Sequence, residues 1–170
     1  MNNLDVGRDK VQISTVTFSS GVHNQFFLNN YATKTDIMNA IPNIQYLPGN
    51  TDTADAIKFV TQTSFTPNHG SRGEVPHVMV LVTNGPSLTK DITELRAKTA
   101  KDNDILIYTV GVGGGINKKE LKSVASNPDS RYFLTADNYE SLNSISELLA
   151  TKICNGKCYY LRSHSILIAV

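Results

Sequence analysis

The chain has no long apolar run, no excess of either charge and almost no cysteine, and each shortage removes a class of function. No hydrophobic stretch reaches the roughly 18 residues that cross a bilayer. The longest run near the end is Ile166-Leu167-Ile168-Ala169-Val170, so no membrane span is expected. Sixteen Lys and Arg against fifteen Asp and Glu leave a net charge of +1, which gives no support to capture of nucleic acid or an anionic membrane. The two cysteines, Cys154 and Cys158, lack the second pair that a structural zinc site needs. A disulfide between them would close only a short loop, and their pairing stays open.

Catalytic patterns are missing as well. His23, His69, His77 and His164 are scattered and form no H-E-x-x-H pair, and no G-x-S-x-G elbow nominates a nucleophilic serine. Gly111-Val112-Gly113-Gly114-Gly115 follows an apolar run, but the third glycine of a dinucleotide fingerprint would fall at position 116, which is Ile116. No cofactor is expected from these residues. Met1 to Gly7 has no basic segment followed by an apolar one, so nothing there directs export. Either an intracellular protein or a chain whose native N-terminus lies upstream is expected.

What is present describes one ordinary globular core, with 170 residues, 40% of them apolar and 18% charged. Val11, Ile13, Val16 and Phe18, a Ser19-Ser20-Gly21 turn, and residues 22 to 28 predict a β-hairpin. Ile37, Met38, Ile41 and Ile44 predict a short helix that Pro42 ends. A second helix is expected from Thr51, with Asp52 and Asp55 as a capping pair. His77 to Thr83 and Asp104 to Val112 read as buried parallel strands, and Leu88, Ile92 and Leu95 give the helix between them. Asn117 and Glu120 open another helix. Arg131 to Thr135 reads as a strand, and an amphipathic helix carries Tyr139, Leu142, Ile145, Leu149 and Ile153. This alternation predicts an α/β fold, an open, mostly parallel doubly wound sheet with helices on both faces.

Several segments together resemble the von Willebrand factor type A domain, in particular its copies in matrilins and collagens. Val16-Thr17-Phe18-Ser19-Ser20 is similar to the end of that family's second strand. Leu47-Pro48-Gly49-Asn50-Thr51-Asp52-Thr53-Ala54-Asp55-Ala56-Ile57 resembles its G-x-T-x-T-x-x-A-[IL] loop and helix. Tyr108-Thr109-Val110-Gly111-Val112-Gly113 resembles its I-G-V-G strand ending. The likeness spans about residues 4 to 154 and starts after the family's first, central strand. It therefore implies a partial domain over 1–154 and a tail, 155–170, of unknown role. The absent strand would leave two unpaired edges and poor solubility, unless the β-favouring stretch from Tyr159 to Val170 takes its place.

The resemblance implies an extracellular, secreted adhesion or matrix-assembly module that contacts collagen or other matrix proteins and is not an enzyme. The family's metal-ion-dependent adhesion site joins a D-x-S-x-S loop, a threonine and the aspartate of a T-D-G turn around one divalent cation. Here Thr51 matches the threonine and Asn84 stands at the aspartate position, in Thr83-Asn84-Gly85. These two are the candidate metal ligands, and Mg²⁺ is expected only if a D-x-S-x-S loop lies upstream. Bland roles compete with that one. Thr51 would cap the following helix, and Asn84 would turn the chain before Gly85. A nucleotide or small-molecule enzyme on a related sheet, or a fragment without function, remains as an alternative.

Overall fold

The computed structural model describes residues 4–154 and 164–170. Strands β1 (Gln12–Phe18) and β2 (Val22–Phe26) form the expected antiparallel hairpin. Then follow α1 (Lys34–Ala40), α2 (Thr53–Phe59), β3 (His77–Thr83), α3 (Lys90–Asp102), β4 (Ile105–Val112), α4 (Lys118–Val124), α5 (Asp129–Tyr132), β5 (Phe133–Ala136), α6 (Leu142–Cys154) and β6 (Ser165–Ala169). They build one six-stranded sheet in the order β2-β1-β6-β3-β4-β5.

The last strand thus lies at the sheet's centre. β6 runs parallel to β1, with Ser165 opposite Gln12 and Ala169 opposite Val16, and parallel to β3, with Ser165 opposite His77 and Ala169 opposite Leu81. The two unpaired edges expected from a missing central strand are therefore not there. Residues 165–169 fill the gap because they alternate to suit both faces. Ile166 and Ile168 join the core with Ile13, Val78 and Val80, and Leu167 and Ala169 join Val16, Met79 and Leu81 on the other side. The rest of the stretch from Tyr159, as far as Ser163, falls outside the described residues, as does Cys158.

Helices α1 and α6 cover the first face through Ile37, Leu142, Ile145 and Leu149. Helices α2, α3 and α4 cover the second through Ile57, Ala97, Ala100 and Val124. The expected apolar stripe of α3 is reversed. Leu88, Ile92 and Leu95 face solvent, Leu95 at 59% exposure, and Thr93, Ala97 and Ala100 are buried. Small residues let α3 lie close to α2, which a count of large apolar positions does not reveal. The expected strand at 131–135 is also displaced, because Arg131 and Tyr132 close the short α5 and β5 begins at Phe133.

Arg72 fastens the start of β6 to the start of β1. Its guanidinium donates to the carbonyls of Lys10 at 2.6 Å, Arg8 at 3.2 Å and His164 at 3.4 Å. His164 is buried, and its carbonyl also accepts the Gln12 N–H at 2.8 Å. Burial lowers the pKa of His164, and the Arg72 cation lowers it further. His77 accepts or donates at 2.8 Å to the Ser71 hydroxyl and stacks on Phe65. Burial also lowers its pKa, with the Arg72 backbone opposing that shift and the Arg72 charge reinforcing it.

Both histidines are therefore held neutral in the folded chain below the pH at which the unfolded chain takes up a proton, near 6.5. Their contribution to stability is complete above about pH 6.5 and is lost as pH falls toward the lowered folded values. The expected result is a melting temperature that drops from pH 7.5 to pH 5.5, about pH 6.5 being the onset. The drop should be smaller in His164→Gln. A flat profile across that interval would contradict this account.

Candidate functional site

A cleft of about 700 Å³ opens at the carboxyl ends of β1, β6 and β3, where ligands bind in open parallel sheets. Its floor comes from strand alternation. Thr15 and Thr17 of β1 and Val82 of β3 point to the first face, and Val170 follows β6. The chain beyond β6 is tied to β1 by Phe18 N–H to Val170 O at 2.9 Å and Val170 N–H to Val16 O at 3.0 Å. One wall is the 3₁₀ turn and loop after α1, with Ile41, Ile44, Tyr46 and Leu47, and Tyr139, ahead of α6, also lines the cleft.

The predicted pair Thr51 and Asn84 both line this cleft. A methyl group added at Gly85 would stand 3.7 Å from Thr51 Oγ1, so the two loops nearly touch. Backbone bonds hold them: Asp52 N–H donates to Ser19 O at 2.9 Å and Leu88 N–H donates to Thr51 O at 3.1 Å. Gly49, at φ 152°, brings the loop against Ser20, whose Oγ accepts the Asn50 N–H at 3.0 Å. The expected capping role of Thr51 belongs instead to its neighbour. Asp52 caps α2, with its carboxylate accepting the Asp55 N–H at 3.3 Å, because Thr51 sits one residue too early to reach that donor. The Thr51 hydroxyl is left to face the cleft.

Asn84 does stand at a turn, whose geometry is set by Thr83. The Thr83 hydroxyl accepts the Gly85 N–H at 3.4 Å and lies 3.2 Å from the Gly85 carbonyl, to which it donates. The loop after β4 packs on the same turn. Gly113 takes φ 77°, and a side chain at Gly115 would come within 3.0 Å of the Asn84 carbonyl. These glycines serve a close backbone approach. Glu120, at the start of α4, is buried and accepts from the Ser87 hydroxyl and from its N–H at 3.3 Å. Asn117 alone caps α4, through the Glu120 N–H at 3.2 Å.

Among the described residues lining the cleft there is no Asp, Glu, Lys, Arg or His. Thr51 and Asn84 offer two neutral oxygens, whereas a hard dication is held by carboxylates that offset its charge. Among the described residues no three His, Cys, Asp or Glu side chains converge as a metal-binding group. The donor set present does not fit a divalent cation. Sequence reasoning missed Thr15, Tyr46 and Tyr139 as cleft residues, which lie far apart in the chain and carry no motif.

A doubly wound sheet with its cleft between Thr51 and the Asn84 turn defines the class, and the sequence agrees. The von Willebrand factor type A domain model matches residues 1–148, and the chain belongs to that family. It is 36% identical over 155 residues to human Matrilin-1, covering 91% of this chain and 30% of that protein. It is 33% identical over 152 residues to the Collagen alpha-1(XII) chain of Notophthalmus viridescens, covering 89% of this chain and 16% of that one. The chain thus spans less than a third of these relatives. Among solved structures, proximal thread matrix protein 1 from the mussel byssus superposes with a TM-score of 0.79 at 28% identity, over 84% of this chain and 36% of that one. The same mussel protein has also been solved with a zinc-occupied MIDAS motif, the metal-ion-dependent adhesion site. Strand β6 lies beyond the residues that the family model matches.

Proposed function

We propose that this chain is an extracellular, non-enzymatic module that binds matrix proteins, collagens included, through the cleft at Thr51 and Asn84 and without a divalent cation. The observation that carries the reading is that the described residues lining that cleft include no charged side chain, in a domain whose relatives are Matrilin-1 and collagen chains. Thr51 and Asn84 act here as neutral hydrogen-bonding groups. The folded unit extends past residue 154 to include β6, a boundary supported by the pairing of β6 on both sides.

The test is solid-phase binding of the full chain to immobilised collagens and matrix extract, with and without EDTA. Binding should survive chelation and fall about tenfold in Tyr46→Asp, a substitution at a side chain 89% exposed and so harmless to the core. Loss of binding in EDTA, or no binding to any matrix component, would sink the reading.

A further inference from the structure

We infer that Asn84 is a site of spontaneous chemical modification, where water converts the carboxamide into a carboxylate and places a negative charge in a cleft whose described lining carries none. The reaction needs only the chain and water, so it stands apart from matrix binding.

The sequence supplies the reacting groups. Asn84 precedes Gly85, the one Asn-Gly step among the described residues. The backbone nitrogen of Gly85 attacks Cγ of Asn84, ammonia leaves, and the ring so closed is a succinimide. Water then opens the ring at either carbonyl and leaves an aspartyl or an isoaspartyl residue. One water is consumed and one ammonia released, with no change of oxidation state. Glycine makes the nitrogen approachable, because no Cβ stands beside it.

The folded turn leaves this path open. Asn84 is exposed, and its surroundings withhold the bonds that usually occupy such a side chain. In the common asparagine turn the side-chain oxygen accepts the N–H two residues on, but residue 86 is proline and has no N–H to give. Among the described residues nothing hydrogen-bonds to the Asn84 carboxamide. Asn30, Asn117 and Asn138 differ, since their side-chain oxygens accept the N–H groups of Phe27, Glu120 and Ser141. The attacking nitrogen is also loosely held. Its N–H donates to the Thr83 hydroxyl at 3.4 Å, longer than an ordinary N–H to oxygen bond.

The two products have different consequences in this fold. An aspartyl residue matches asparagine in size and changes charge alone, lowering the net charge of +1 by one unit. An isoaspartyl residue adds a carbon to the main chain. It does so where a side chain at Gly115 would already come within 3.0 Å of the Asn84 carbonyl and where Ser87 is tied to Glu120, so it loosens the turn. Loss of ammonia makes the change run one way, and the converted fraction grows with the age of the molecule.

The experiment incubates the full chain at neutral and mildly alkaline pH and maps its tryptic peptides, which separate Asn84 from the Asn-Gly step at Asn155. A gain of about one dalton at Asn84 is expected, faster at the higher pH and carrying heavy oxygen when the solvent is labelled water. The aspartyl form should coelute with Asn84→Asp on ion exchange. Gly85→Ala places a methyl group in ordinary contact with Thr51 Oγ1, at 3.7 Å, and should slow the conversion about tenfold. Pro86→Ala restores an N–H for Asn84 to accept and should slow it about threefold. Unchanged melting temperatures show that both variants fold. Constant mass at Asn84 in the folded chain, absence of the solvent label, or a rate that neither variant lowers would overturn the inference.

Discussion

Replacing Leu167 with alanine should destabilise the domain by about 3 kcal/mol, within the usual range for a buried leucine. The melting temperature should fall by roughly 6–12 °C in a domain of this size. Leu167 is fully buried at the middle of β6, between Ser14 of β1 and Met79 of β3 in register. It packs with Ile57, Leu81, Ile107 and Val124, so its loss leaves a void enclosed by the sheet and the helices of the second face. The comparison is Leu95→Ala on the exposed side of α3, which should change stability by no more than about 0.5 kcal/mol. Equal effects at the two leucines would mean that β6 is not the central strand in solution.

The second large effect is expected at Ser87. Its hydroxyl and N–H are, among the described residues, the two donors to the buried Glu120 carboxylate. Ser87→Ala removes one and leaves an under-bonded buried charge, which costs about 2 kcal/mol. The link joins the turn after β3 to the start of α4, so the substitution also releases the chain beside Asn84. Denaturant unfolding of Ser87→Ala, Glu120→Ala and the double variant checks this. The double variant should lose clearly less than the sum of the singles, as coupled groups do. Simple additivity would show that the contact carries no energy.

The strands and most helix starts were legible because local chemistry fixes them. Met79-Val80-Leu81 is apolar on successive positions, which suits a strand covered on both faces, although Leu106, in the similar run that opens β4, is exposed. Asn117 caps α4 as its type and place predict. Where the sequence misled, tertiary packing had overridden a local preference. α3 buries Ala97 and Ala100 in place of Leu88, Ile92 and Leu95, since close approach to α2 outweighs the area of the larger side chains. At the site, Thr51 and Asn84 were found by motif, and both line the cleft. Thr15, Tyr46, Tyr139 and Val170 join them only through the fold, and no pattern along the chain ties those positions together.

The place of β6 governs how the domain can fold. Its contacts with β1 join Gln12 to Ser165 and Val16 to Ala169, so the middle of the sheet is closed by the pairing most distant in sequence. Such non-local pairings are slow to form, because the entropy of loop closure is lost before the contact repays it. During synthesis β1 and β3 each present an open edge until residues 165–169 leave the ribosome. The nascent chain is therefore vulnerable to misassociation until β6 arrives, and the gap between β1 and β3 is closed from the inside of the sheet.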